Sequence, residues 1–392
     1  MSKIQVYHFH NGAGGGVLSV IRNLLKFSNN PAIENHVIYT INKEEKPVYL
    51  VNNLEGAFSE QVFYYSPKWN FYFTCRQLAK LLPDNKAVVI AHDWLELGMM
   101  SNLGLQNPLV LFLHGDYDYY YHLAQQHEPA IDQFICVAQN IENNLVALLP
   151  ARKESIAYLR FPVSEVINKQ VLKNDCPIIF IGRLIEGKGY PLLPVIAKEL
   201  RRKNLNATWH IVGTAGNAED ETIWDKNIDV HFYNNISNDK VLALLPQMKI
   251  LILPSVAEGM PVVVIEAMKA GVIPIVNDID GGIQELVIDN ITGYKIKDNQ
   301  VNEFVERIAE LIKNRDMVST MQNNCITWAN DMFDPIKNTM VIEDNLVKIY
   351  SAKRKEKHAF KAYGSRLDTQ WIPNWIVYLL RRFKKIKFFR CI

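Results

Sequence analysis

The stretch Ile178-Ile179-Phe180-Ile181-Gly182-Arg183-Leu184-Ile185-Glu186-Gly187-Lys188-Gly189 decides how the rest of the chain is read. A four-residue β-branched and aromatic run predicts a buried strand. The glycines that follow predict a turn, and Pro191–Lys203 carries helical periodicity. One strand, one turn and one helix make half of a βαβ unit. Further strands are expected at Thr208–Val212, Val230–Phe232, Ile250–Leu253 and Ile273–Val276. Helical patterns follow at Asn238–Gln247, Pro261–Ala270, Gly282–Leu286 and Val301–Lys313, and continue from Met317 to Ser351.

The same alternation precedes the stretch. Strands are expected at Ile4–Phe9, Val37–Ile41, Val88–Ala91, Leu109–Leu113 and Phe134–Val137, with amphipathic stretches at Val17–Phe27, Tyr72–Leu82 and Asn140–Leu149. Strand and helix alternating in this way predict an α/β chain whose parallel sheets are covered on both faces. The pattern restarts near Cys176-Pro177, and Arg160 to Asp175 reads as a polar linker. With 392 residues and about 150 per domain, two doubly wound domains are expected, at 1–165 and 170–330.

Composition excludes several classes. The chain has 43 Lys/Arg and 41 Asp/Glu, a net charge of +2, which excludes nucleic-acid binding through global charge. The charge is uneven: residues 353–392 hold twelve Lys/Arg and two Asp/Glu, so the remainder is mildly acidic. Five scattered cysteines with no C-x-x-C pair fit neither a disulfide framework nor a zinc ribbon. The start reads directly as a strand, without the apolar segment of a signal peptide. No run approaches the ~18 apolar residues of a membrane-spanning helix.

In open parallel sheets ligands bind beyond the carboxyl ends of the strands. Three candidate loops lie there. Asn11-Gly12-Ala13-Gly14-Gly15-Gly16 follows the first strand and opens a helix, so its N–H groups could approach an anion; the plain alternative is a tight turn. Arg183 and Lys188 place two cations at a strand end, as a diphosphate requires, or form a solvated basic loop. Glu258-Gly259-Met260-Pro261 leads into an apolar helix that carries Glu266. If all nine residues were helical the two carboxylates would be separated by a rise of ~12 Å. A carboxylate among Val262–Ile265 is costly unless paired or used.

Taken together, Ile178–Gly189, Pro254-Ser255, the Glu258…Glu266 pair, Glu266-Ala267-Met268, Ala270-Gly271, Gly281-Gly282, Glu285 and Gly293 resemble the GT-B-fold retaining glycosyltransferases of family 4, the glycosyl transferases group 1 class. The resemblance covers about residues 3–350. It implies two Rossmann-like domains facing a cleft, with 331–352 as a returning C-terminal helix and 353–392 as an additional tail. It implies transfer of a sugar from a nucleotide-diphosphate sugar to a hydroxyl acceptor with retention, in surface polysaccharide, lipopolysaccharide or glycolipid synthesis. The donor is then a substrate, and neither cofactor nor metal is expected. Arg183 and Lys188 would hold the diphosphate and Glu266 the ribose hydroxyls. Glu258, with the N–H groups of Gly259 and Met260, would contact the transferred sugar. Gly15 and Gly16 would approach the donor phosphates, Gly213 would wall the nucleotide pocket, and His114 would stand near the transferred sugar. His92 and Asp116 fall on the acceptor side. The chain departs from the family at Val17-Leu18 and at Phe161-Pro162-Val163.

Other readings stay open on the residues. Asp116-Tyr117-Asp118 and Asp278-Ile279-Asp280 are D-x-D triplets of the kind that hold a divalent ion. His8-Phe9-His10, with His92 and His114, could be a zinc set or could line a polar sugar site. A nucleotide-sugar 2-epimerase shares the architecture, a non-catalytic nucleotide-sugar binder would keep the donor motifs, and an oxidoreductase fits the irregular glycine loop poorly. In the tail, Ile372, Trp375, Ile376, Leu379, Phe383 and Ile386 recur at helical spacing amid Arg381, Arg382, Lys384, Lys385 and Lys387. That pattern predicts attachment through 371–390 to an anionic membrane surface, the competing reading being docking on the body. The expected partners are a nucleotide sugar and a glycan or lipid-linked acceptor. The expected place is the cytoplasm, at the inner face of the cytoplasmic membrane if the tail binds lipid.

Overall fold

The computed structural model describes residues 3–45, 53–83, 86–166, 176–213, 222–234, 236–297, 299–353 and 355–383. The chain forms two compact units, Met1–Pro162 with Pro335–Ile392, and Val163–Asp334.

The first unit holds β1 (Ile4–His10), β2 (Ile33–Asn42), β3 (Ser59–Tyr65), β4 (Val88–Ala91), β5 (Leu109–Leu113), β6 (Gln133–Cys136) and β7 (Ile156–Tyr158), all parallel, in the order β3-β2-β1-β4-β5-β6-β7. Between them run α1 (Gly16–Lys26), α2 (Phe71–Ala79), α3 (Trp94–Leu103), α4 (Asp118–Gln126) and α5 (Gln139–Leu148). The central strands β4 and β5 are buried throughout, as sheets covered on both faces require. α1 buries Leu18, Ile21 and Leu25 against Val37 and Tyr39 of β2.

The second unit repeats the plan. Its strands are β8 (Pro177–Ile181), β9 (Thr208–Gly213), β10 (Val230–Asn234), β11 (Ile250–Leu253), β12 (Ile273–Asn277) and β13 (Tyr294–Ile296), parallel and in the order β10-β9-β8-β11-β12-β13. Its helices are α6 (Leu192–Arg202), α7 (Asn238–Leu244), α8 (Val262–Lys269), α9 (Gly282–Leu286), α10 (Val301–Lys313) and α11 (Arg315–Met332). α10 seals the sheet through Phe304, Val305, Ile308 and Leu311, one face of a 3.6-residue period. Each sheet thus reverses direction after its first strand, placing a ligand site beside β1 and β4 in one and beside β8 and β11 in the other. After the second unit the chain returns to the first as α12 (Pro335–Ser351), where Glu343 accepts a hydrogen bond from Ser28.

Two expectations need correction. Arg160–Val163 is no polar linker: Phe161 and Val163 are buried, and the Phe161 carbonyl accepts from Asn338. The rest of that segment, 167–175, falls outside the described residues. The tail, finally, is not an appendage in its described part. Lys357 is buried against Asp132 (2.6 Å) and the Asn107 carbonyl, and Tyr363 packs on Trp94 and Phe71. α13 (Asn374–Phe383) is held by Arg381, which pairs with Asp368 inside the unit. The expected basic residues Lys384, Lys385 and Lys387, and Ile386, fall outside the described residues, as does the Phe383 side chain.

Candidate functional site

In the second unit, the loops after β8, β11 and β12 are knitted together by backbone contacts that only glycine permits. Gly189 has φ +70°, and a Cβ there would lie 2.1 Å from the Pro254 carbonyl oxygen. The Val256 N–H donates to the Gly187 carbonyl. Gly282 N–H donates to the Gly259 carbonyl at 2.6 Å, and a Cβ on Gly282 would meet that oxygen at 2.4 Å. At the end of β9, Gly213 lies so close to the Gly182 carbonyl that a Cβ would approach within 2.1 Å.

This scaffold brings Lys188 and Glu258 together. Their ion pair is 2.6 Å long, with Glu258 buried and Lys188 partly so. Arg183, on the same loop as Lys188, is exposed. Gly259 and Met260 precede the first turn of α8, and Glu266 lies buried on that helix. The sequence alone does not show the pairing of Lys188 with Glu258, for which the signal is the adjacency of β8 and β11 in a doubly wound sheet.

The equivalent place in the first unit is filled by imidazoles. His8 and His10 share one face of β1, His92 follows β4 and His114 follows β5. The His8 and His92 rings stack at 5.9 Å, and His92 Nδ1 is hydrogen-bonded to His114 Nε2 at 2.7 Å. The Gly12 N–H donates to His10 Nδ1, so the neutral ring carries its proton on Nε2. Burial holds His8 and His10 down to about 4 and His114 to about 3, and His92 lies well below the usual histidine range. All four are therefore neutral near pH 7. Among the described residues no group of three or more His, Cys, Asp or Glu is placed to hold a metal ion.

Around them the structure assigns structural duties. Asp93 and Glu96 form a capping box on α3, and Glu96 accepts from the His92 and Asp93 N–H groups. Burial, then Asp93, pushes Glu96 up to about 8. Asp116 accepts from Tyr121, Asn140 and Asn144, and so ties its loop to α4 and α5. Asp278 accepts from Gln284. At the glycine loop, Gly15 has φ +136° and caps α1, and a Cβ on Gly14 or Gly15 would meet nothing within 4 Å. No side chain caps the first N–H groups of α1.

Comparison with known proteins fits this division. Residues 164–328 match the family model for glycosyl transferases group 1. An uncharacterized glycosyltransferase of Haemophilus influenzae is 22% identical over 84% of this chain and 96% of its own length. One of Methanocaldococcus jannaschii is 25% identical over 49% of this chain, a match spanning 53% of that relative. HepE of Anabaena, solved with UDP-glucose, superimposes with a TM-score of 0.72 at 15% identity, over 88% of this chain and all of that one. The chain therefore has the two-sheet fold of the GT-B glycosyltransferases, and residues 164–328, in its second unit, are similar to the glycosyl transferases group 1 family.

Proposed function

We propose that this protein is a retaining, metal-independent glycosyltransferase. It moves a sugar from a nucleotide-diphosphate sugar to a hydroxyl of a glycan or lipid-linked acceptor, in surface polysaccharide, lipopolysaccharide or glycolipid synthesis. The observation that carries this reading is the Lys188–Glu258 ion pair at the point where the second sheet reverses. An ammonium held there by a single carboxylate can exchange that partner for a phosphate.

On this reading the donor diphosphate takes over Lys188 and draws in the exposed Arg183, whose planar fork binds two phosphate oxygens at once. Glu258, released from Lys188, contacts the transferred sugar together with the N–H groups of Gly259 and Met260. Glu266 accepts hydrogen bonds from the ribose hydroxyls, and Gly213 walls the nucleotide pocket. Gly15 and Gly16 keep the role that the resemblance implies for them, a backbone N–H contact to the donor phosphates. Neutral His114, oriented by His92, hydrogen-bonds the transferred sugar, and Asp116 belongs to the acceptor side. The bond from the anomeric carbon to the diphosphate breaks as the acceptor oxygen bonds to that carbon on the same face. The acceptor's proton passes to the departing phosphate oxygen. Lys188 and Arg183 stabilise the charge that accumulates there. The site works beside an anionic membrane surface, reached through 371–390.

A panel of UDP-, GDP- and ADP-sugars, read by thermal shift and by slow donor hydrolysis with and without EDTA, tests this. The expected outcome is stabilisation by one nucleotide sugar, unchanged by EDTA and lost in Lys188→Ala. Sensitivity to EDTA would return the D-x-D and histidine readings. Stabilisation with no hydrolysis and no transfer to any acceptor tried would make the protein a binder.

A further inference from the structure

The last helix of the first unit uses one face to dock and leaves the opposite face bare. Val377 is fully buried. Arg381 donates to Asp368 at 2.7 Å and to the Trp69 and Pro67 carbonyls. Asn70 is fully buried; its N–H donates to the Asn374 side chain, and its amide donates to the Thr369 and Ile372 carbonyls. These bonds fix both the position and the rotation of α13. The other side then presents Trp371 at 81% exposure, Trp375 at 65%, and Leu379 and Leu380 at 40% and 42%. Trp375 and Leu379, four residues apart, share one face of α13, and Trp371 stands in the turn that precedes the helix.

We infer that this face is the seat of an anionic lipid bilayer, with Trp371 and Trp375 as interfacial anchors and Leu379 and Leu380 entering the headgroup–acyl boundary. Three observations select that occupant. Tryptophan pairs an apolar ring with one polar N–H, which suits the membrane–water interface. Positive charge gathers at this end of the sequence: Arg382 is exposed, and Lys384, Lys385, Lys387 and Arg390, with Phe388 and Phe389 among them, follow beyond the described residues. The rest of the chain is mildly acidic, so the chain's net positive charge lies at this end. Because α13 is already ordered by Asn70 and Asp368, little freedom is lost when the tryptophans insert. No helix among the described residues is long and apolar enough to cross a membrane, so the contact is one of surface attachment. The inference deepens the glycosyltransferase reading and rests on it only in placing the acceptor at a lipid surface.

Cutting the chain at Ser351 is a poor test, because it would uncover Asn70, Phe71 and Asp132. The full-length protein should instead be sedimented with phosphatidylcholine vesicles with and without phosphatidylglycerol, beside a W371S/W375S variant. The expected result is pelleting only with the anionic vesicles, reduced about tenfold by the double substitution and by high salt. A blue shift of tryptophan emission on adding the anionic vesicles should accompany it. Nucleotide-sugar stabilisation should be unchanged in W371S/W375S, whereas Lys188→Ala should lose that stabilisation and still pellet. The two readings thus fail separately. Equal pelleting of wild type and variant, or none with anionic vesicles, would overturn the assignment. So would self-association without lipid that the double substitution abolishes, which would give the face to a second copy.

Discussion

The two sheets share one plan and differ in what stands where they reverse. Beside β8 and β11 the second unit keeps a charged pair, Lys188 and Glu258, on loops clamped by glycines. Beside β1, β4 and β5 the first unit keeps four neutral imidazoles that stack and hydrogen-bond with one another. Topology therefore sets where a ligand goes, and side-chain chemistry sets what it meets. Charge that can change partner suits a diphosphate. Uncharged rings suit the hydroxyl-rich face of a sugar, which needs hydrogen bonds without net charge.

The difference should be plainest in acid. A histidine whose folded value lies below its unfolded 6.5 binds protons more readily once unfolded. The stability associated with it is therefore complete above pH 6.5 and is lost as pH falls toward the folded value. His8 and His10, at about 4, each put roughly 3 kcal/mol at stake. Their neighbours His92 and His114 are coupled to them, so the contributions do not add. Hydrogen exchange between pH 6.5 and 4, corrected for intrinsic rates, should show β1, β4 and β5 losing protection before β8 and β11. Equal loss in both sheets would break the comparison.

Next in size is the charged pair itself. Lys188→Ala should weaken donor binding by ~1.5–3 kcal/mol, one to two decades, as the loss of a charge-assisted contact does. Glu258→Ala should chiefly depress turnover, and the double variant should lose less than the sum of the singles, since each single strands its partner. Full turnover by Glu258→Ala would remove that carboxylate from the transferred sugar. Calorimetry of donor binding and steady-state rates separate the two effects.

A third prediction concerns Lys269, which the sequence did not single out. Fully buried on α8, it donates to the Val163 and Phe333 carbonyls at 2.8 and 2.9 Å and so fastens both ends of the second unit. Burial lowers it from 10.5 to about 8, against the opposing pull of Glu165 and Asp334. Between those values the unfolded chain holds the extra proton, so this group's contribution to stability rises with pH across pH 8–10.5 and is flat below pH 8. Lys269→Met should cost ~1–3 kcal/mol by leaving two buried carbonyls without donors, and should erase that slope. Denaturant titrations at several pH values measure both.

The sequence disclosed most where pattern and burial agree. β4, β5, β8 and β11 are unbroken apolar runs, β12 is apolar up to its last residue Asn277, and α9 and α10 fall where their periodicity puts them. β3 was missed because Ser59-Glu60-Gln61-Val62 reads as polar on an edge strand with Val62 and Tyr64 exposed. α3 was missed for the opposite reason: Trp94–Leu103 is apolar on every side and shows no period. For the site, residue types were legible but pairings were not. Lys188 meets Glu258, and His92 meets His114, only through strands adjacent in space and distant in sequence. The docking of the tail was hidden because Asp368 and Arg381 look like ordinary surface charges until the fold buries them together.

The smallest effect should come from Gly14, and set beside Gly189 it sharpens the contrast between the two loops. Gly189→Ala meets the Pro254 carbonyl and an unfavourable backbone conformation at once, so it should destabilise the second unit and loosen the Lys188–Glu258 loops together. Gly14→Ala has neither problem: its backbone lies outside the left-handed region and the added methyl meets nothing within 4 Å. Its stability should stay within about 0.5 kcal/mol of wild type. Any change it causes must then come from what enters that open space. If the donor phosphates approach the start of α1, the methyl should raise the donor's Kd and leave Tm unchanged in the absence of ligand. If Kd is unchanged as well, the glycine loop is a turn that happens to be roomy, and donor recognition belongs to the second unit alone.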